Sequence, residues 1–573
     1  MNMRYLLFLI LLLTSCSRLD MYEQNMLESP DTKAGTILNP VNSDLPMILG
    51  QKLENPYTVE NMRNAYLELG KEGVILDFPI TAISTTHFYL CYKPNSVQEL
   101  NDLEEIKSLE LFDFPCDYEV IRPGHYYRKS DLLDSIPTWR YSTVSVQEWP
   151  MVQDSLIMYN IDYEVLDSLY MYYESSAVQR GFSEEGSNLV MFDLLEQKSF
   201  EITGNNDSGD NATNRASRWT PSGRIMAYDN VLGDYVPLEN VKVIAFNFCW
   251  KTVGYTDSLG YFQCDKSTKN KVKYKIKWES NRWDIRDGDL SQANYNDGVK
   301  RFGEWNLNIS LDNYKSIRYT AIHRALQRMY YGNNVGLSRP NNNRKAKISY
   351  YHYEGDALGL FYQRWFGGIM PDIKIYGVED GAYRPLSAIF STTSHEIGHM
   401  AHYTNAEEVY ENSTEFVCES WARYVQYVLT YKEYEELGLL GTLDPVFAIP
   451  LEGGHSQSSP MITPDIQYNF QYWKNTFTDL YNYSPIFIDL TDTYNQRDYY
   501  RYINASEHYI EDIPEDLIHG IPSAKIEELV FQSTTQQQFK QRLLSNAAMM
   551  IRIYQTRYNA TQQTINKLFE VYE

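Results

Sequence analysis

The sequence predicts an α+β, multi-domain chain, and three observations carry that prediction. At 573 residues it has room for two to four domains of about 100–200 residues each. A cluster of turn formers at 204–211 separates a mixed strand-and-helix region from a run of short alternating strands. Beyond residue 309 strand patterns come first and helical spacing follows, which is the α+β order. A composition of 43% hydrophobic and 22% charged residues fits a folded protein. With 51 Lys+Arg against 75 Asp+Glu and a net charge of -24, the chain lacks the basic footprint that a phosphate backbone requires. Nucleic acid is therefore not an expected partner.

The chain opens with Arg4 and an apolar run from Tyr5 to Leu13, too short to span a bilayer and typical of a signal-peptide core. The following Leu13-Thr14-Ser15-Cys16 resembles the lipobox of bacterial lipoproteins. That resemblance implies cleavage before Cys16, lipidation of its sulfur, and a protein held at the bacterial cell envelope, at the outer membrane or cell surface. Residues 1–16 are read as this signal peptide and 17–44 as a tether.

A small α/β module is expected over 45–203. Its strand begins at His87, Ser96 caps a short helix carrying Val97, Leu100, Leu103 and Ile106, and a second strand is expected over 109–114. A β-sandwich is expected over 218–285, with strands around Arg224, Pro237 to Val243, and Thr256 to Phe262. Its last strand places Val272, Tyr274, Ile276 and Trp278 on one face and Lys271, Lys273, Lys275 and Lys277 on the other, so it should be half buried. The order of strand, turn, Thr256-Asp257-Ser258-Leu259-Gly260-Tyr261-Phe262 and alternating strand resembles prealbumin-like, carboxypeptidase-regulatory-like sandwiches, which implies a spacer or docking role.

The third domain is expected over 309–573. It begins with a helix over 319–331 and strands over 347–351 and 372–376. It ends in a helix capped by Thr561 with Ile565, Leu568, Phe569 and Tyr572 on one stripe. Between these lies the segment that carries chemistry, Ser394-His395-Glu396-Ile397-Gly398-His399-Met400-Ala401-His402. On a helix, residues i and i+4 share a face, so His395 and His399 can aim nitrogens at one ion with Glu396 beside them. A hydrolytic site needs a third ligand and an open position for water. An arrangement with a glycine and a third histidine would place them where His402 and Asn405 stand, which excludes it. Instead, Asn412 and Glu415 resemble a capping-box start to a second helix, on which Glu415 and Glu419 share a face. Either carboxylate can complete the set.

The chain thus resembles the gluzincin metallopeptidases, in which HExxH is followed by a glutamate from a second helix. The interval of 20 residues from His399 to Glu419 matches the thermolysin-like spacing. The resemblance implies a zincin-like domain with Zn2+ held by His395, His399 and Glu419, Glu415 being the alternative third ligand, and with Glu396 as catalytic base. Thermolysin-like enzymes carry an aspartate four residues after the ligand glutamate, where Arg423 stands here. His402 is expected to give outer support or packing rather than ligation. His455, His508 and His519 are candidates for stabilising the oxyanion. Tyrosine- and asparagine-rich lipoproteins with such domains resemble those of gut Bacteroidetes, some of which attack mucin-type glycoproteins. The expected function is membrane-anchored hydrolysis of peptide bonds in protein or glycoprotein substrates. Its rival is a surface glycan- or protein-binding lipoprotein with an inactive site. Of six cysteines, the five after Cys16 form no CxxC pair, and their odd number argues against a disulfide framework, so they are read as small buried hydrophobes.

Overall fold

A computed structural model describes residues 45–106, 109–129, 132, 136–171, 185–206, 218–289, 291–362, 371–438, 484–492, 515–554 and 562–572. The leader and tether with Cys16, most of the 204–211 cluster, His455, His508 and Thr561 lie outside the described residues. The architecture is α+β and multi-domain. Among the described residues, no helix is long and apolar enough to cross a membrane.

The first module holds a strand pair, β1 (Ile48–Lys52) with β3 (Tyr118–Arg122), and a three-stranded antiparallel sheet. In that sheet β2 (His87–Lys93) lies between β4 (Arg140–Ser145) and β5 (Asp162–Leu169). Helices α1 (Val59–Lys71), α2 (Val97–Glu104), α3 (Trp149–Met158) and α4 (Glu185–Ile202) pack around it. Ser96 caps α2 as expected, its hydroxyl accepting the Glu99 amide hydrogen at 3.1 Å. The strand expected over 109–114 does not form. Only Phe112 pairs, with Tyr141, because Phe112 and Phe114 turn inward to join an apolar cluster.

The sandwich sets one sheet, β10 (Tyr261–Gln263), β6 (Ser222–Asp229) and β15 (Trp305–Ile309) with β7 (Asp234–Pro237) beside β6, against another. The second sheet runs β14 (Asn294–Asn296), β11 (Lys273–Lys277), β8 (Lys242–Asn247), β9 (Trp250–Tyr255). The single strand expected over 237–243 is two, β7 and β8, with Asn240 at φ 60 in the connection. A mixed sheet follows, ordered β13 (Ser291–Gln292), β12 (Trp283–Asp287), β16 (Ala346–Glu354), β18 (Ile373–Glu379), β17 (Gly359–Phe361), with β19 (Ala382–Tyr383) on β18. Strands β12, β16 and β18 are parallel, and β17 runs antiparallel at the edge. The chain therefore does not pass from sandwich to third module at one point: β12 and β13 join the mixed sheet before β14 and β15 return to complete the sandwich.

Ile348, Tyr350, Ile373 and Ile375 alternate on one face of the mixed sheet. They pack against α5 (Ser316–Tyr330) and α6 (Leu386–Asn405) in a core that continues into the sandwich through Ile225, Tyr274, Ile276 and Trp305. Helices α7 (Glu407–Asn412), α8 (Glu415–Glu436), α9 (Ile486–Asp489), α10 (Ser523–Val530), α11 (Gln536–Tyr554) and α12 (Gln562–Tyr572) follow. The α12 stripe of Ile565, Leu568, Phe569 and Tyr572 is buried as its spacing predicts.

The lysine face of β11 departs from its expected exposure. Lys275 is 1% exposed, bonded to Asp113 at 2.8 Å, with its ammonium 5.3 Å and 5.4 Å from the Phe112 and Phe114 ring centres. Lys277 reaches Glu110 at 3.3 Å and Glu279 at 3.1 Å, and Arg286 pairs with Glu104 of α2. The first module covers this face, so its periodicity marks two partners instead of core and water.

Candidate metal centre

Helix α6 starts after Pro385, and the Ser387 amide hydrogen, one of those a helix start leaves unmatched, is bonded to Asn230 Oδ1 at 2.9 Å. From Leu386 to Tyr403 nearly every side chain is buried, as a helix that is uncharged on most sides requires. Its hydroxyls close onto their own helix, Thr393 onto the Ile389 carbonyl at 2.7 Å and Ser394 onto that of Phe390 at 3.0 Å. Helix α8 crosses α6 at Gly398. A Cβ there would stand 3.0 Å from Val425 Cβ and 3.2 Å from Ala422 Cα, so glycine is what permits the close approach. Glu419, one turn before Ala422, is thereby brought over the two histidines.

Three ligand groups converge. His395 Nε2 and His399 Nε2 lie 3.1 Å apart, and the Glu419 carboxylate reaches them at 3.2 Å and 3.3 Å. This is the one group of three or more His, Cys, Asp or Glu side chains among the described residues whose ligand atoms all lie within 4.8 Å. The donor set of two imidazoles and a carboxylate is one that can hold a divalent metal ion. Glu415 does not belong to it: it is exposed in the first turn of α8. Nor does the expected capping box form. Thr414 takes the N-cap position without a side-chain bond, and Asn412 closes α7 by donating to the Glu408 carbonyl at 2.7 Å.

The charges respond to one another. Burial pushes the Glu419 carboxyl up, but the adjacent His399 and His395 rings outweigh it and hold the group far below the usual carboxylate range. Burial lowers the His399 ring and Glu419 more than restores it, leaving a net upward shift. Glu396 is 5% exposed, and its carboxyl is raised by burial against the opposing pull of His395 and His399.

The edge strand β17 lies against this helix. A Cβ on Gly359 would fall 2.5 Å from Glu396 Oε1 and 2.7 Å from Thr392 Cγ2, so glycine lets the strand backbone reach the carboxylate. The Phe361 amide hydrogen bonds to Glu396, and the Phe361 ring stacks on His399 at 6.5 Å and 11°. Tyr410 of α7 places its hydroxyl 3.3 Å from His399 Nδ1. When Nε2 serves an ion, Nδ1 carries the proton and can donate to that hydroxyl, a contact that orients the ring.

His402 is fully buried, stacked on Phe531 at 4.8 Å and 5° and edge-on to Tyr410 at 5.0 Å, and among the described residues neither ring nitrogen has a hydrogen-bond partner. Burial, with a smaller contribution from the nearby His399, lowers its pKa to about 3, so the ring packs in its neutral form. Arg423 is buried and donates to Gln426 Oε1 at 2.9 Å, while Gln426 donates to Ser391 at 2.7 Å, so this position braces α8 on α6. His519 precedes Gly520 and Ile521, whose amide hydrogens bond the Thr491 and Leu490 carbonyls. Sequence reasoning did not single out Gly359, Phe361 or Tyr410. No family model and no curated protein matches the chain.

Proposed function

We propose that the protein is a zinc-dependent metallopeptidase, anchored by lipid to a bacterial envelope, that hydrolyses peptide bonds in extracellular protein or glycoprotein substrates. The observation that carries the reading is the convergence of His395, His399 and Glu419 with Glu396 beside them. The two Nε2 atoms lie 3.1 Å apart, and Glu419 sets Oε2 3.2 Å from His395 Nε2 and Oε1 3.3 Å from His399 Nε2, so both carboxylate oxygens face the imidazole pair. Zinc, when bound there, would acidify a water and polarise a carbonyl.

The chain's own residues supply the rest. Glu396 takes the proton of the attacking water and later delivers it to the leaving amine. Strand β17 ends its sheet among the described strands, so its outer side offers backbone groups to which an extended peptide can pair beside Glu396. Tyr410 and Phe361 hold the His399 ring in place.

The test is Glu396→Gln, which keeps the shape and cannot act as a base. Purified protein should keep about one zinc per chain while cleavage of a peptide mixture falls by about a hundredfold or more. Near-normal turnover would remove Glu396 from this role. For the anchor, Cys16→Ala should release the protein from the membrane fraction with the leader still cleaved, and retention would defeat the lipoprotein reading.

A further inference from the structure

The five cysteines after Cys16 are not equivalent in space. Cys249 stands at the tip of the β8–β9 hairpin, beside Phe248 at φ 50. That tip enters the first module. The Phe248 ring meets Phe200 at 5.8 Å, the Cys249 carbonyl accepts from the Thr143 hydroxyl at 3.1 Å, and Asn55 Nδ2 lies 3.4 Å from the Cys249 sulfur. Cys116 faces it from the first module, its amide hydrogen bonded to the Tyr89 hydroxyl at 2.9 Å and that hydroxyl bonded in turn to Asp117 at 3.1 Å. Both backbones are therefore held by neighbours independent of the sulfurs. The two sulfurs meet at 2.6 Å, nearer than two separate sulfurs rest.

We propose that Cys116 and Cys249 form a disulfide that ties the first module to the sandwich. The apolar leader expected to export the chain would deliver it to a compartment where such bonds persist. The step is thiol–disulfide exchange with a disulfide oxidant, either a small-molecule disulfide or the disulfide form of a protein catalyst. One cysteine thiolate attacks a sulfur of the oxidant and releases an oxidant thiolate. The second attacks the mixed disulfide and releases the other. The two cysteines give up two protons and two electrons, and the oxidant's disulfide bond is reduced. The bond spans 133 positions of sequence and constrains the unfolded chain accordingly. An odd cysteine total remains compatible with it, since Cys91, Cys264 and Cys418 are each buried and none is drawn into the pair.

Burial and the neighbouring sulfur push the Cys116 thiol well above its usual range, so a reduced pair resists alkylation in the folded protein and labelling must follow denaturation. The full chain, exported with its own leader, is denatured in iodoacetamide with and without prior reduction, and the labelled sites are mapped. Without reduction, label should reach Cys91, Cys264 and Cys418 alone, a digest should contain a peptide pair joined through Cys116 and Cys249, and reduction should expose both. Cys116→Ser should free Cys249 for labelling. Purified reduced protein incubated with oxidised glutathione should form the same bond, which separates the geometry from the route of export. Formation in glutathione alone would place the bond in the fold and overturn the export expectation. Failure of Cys116 and Cys249 to join under both conditions, or joining of either to another cysteine, would overturn the proposal.

Discussion

The α6–α8 helix pair and the lysine face of β11 are both buried and both carry charge, yet they are built on opposite principles. In the helix pair two imidazoles and the Glu419 carboxylate are crowded together with a second carboxylate, Glu396, beside them, an arrangement that makes physical sense around a cation. On β11 and on β12 each buried cation is matched by an anion: Lys275 by Asp113, Lys277 by Glu110 and Glu279, and Arg286 of β12 by Glu104 and Asp284. The contrast teaches how to separate a site from a structural network. A network balances its charges pairwise, whereas a site leaves a sum that only a missing partner completes.

Three tests sharpen or break that contrast. The largest effect is expected at Glu419. Glu419→Ala should lose the metal, with affinity falling by more than the about 10–100-fold that an outer hydrogen bond is worth, while Glu415→Ala keeps it. Metal titration of the two variants decides between them, and an apo Glu415→Ala beside a loaded Glu419→Ala would reverse the assignment. Next comes Lys275→Ala, which leaves Asp113 buried without its main partner and should cost about 3–5 kcal/mol in denaturant unfolding. The double change Lys275→Met with Asp113→Leu should restore much of this, as a replaced pair costs less than a broken one. A single variant as stable as the parent would mean that the face is not closed in solution. The smallest effect is expected from Tyr410→Phe, which removes one hydrogen bond and keeps the ring on His399 and His402. Metal affinity should fall by about tenfold, at the low end for such contacts because the 3.3 Å bond is long. Unchanged affinity would reduce Tyr410 to packing.

The sequence disclosed these two regions unequally for a physical reason. His395, Glu396 and His399 act through local helical spacing; the need for a third ligand led to Glu415 or Glu419, and the interval that resembles the gluzincins favoured Glu419. Tyr410, Phe361 and Gly359 approach the site from α7 and the sheet edge, and no local pattern ties them to it. The alternation of Val272, Tyr274, Ile276 and Trp278 with lysines located a strand and its inner face correctly. It could not say what the lysines face, since a charged face solvated by water and one covered by Asp113 and Glu110 have the same period. Similarly, the apolar content of 109–114 suggested a strand, and tertiary packing of Phe112 and Phe114 overrode it. Cys116 and Cys249 lie 133 positions apart, in modules that only the folded chain brings together.

The interleaving of β12 and β13 with β14 and β15 has a bearing on ancestry. A module joined to its neighbour by one linker can be copied, lost or exchanged by recombination at that linker. Here a breakpoint after β11 strips β14 and β15 from the sandwich, and one after β15 strips β12 and β13 from the mixed sheet, leaving the side of β16 that β12 covers without its partner. Either cut leaves one of the two modules short of strands. The metal-bearing part and the sandwich are thus a single unit of inheritance, and selection on either acts on both.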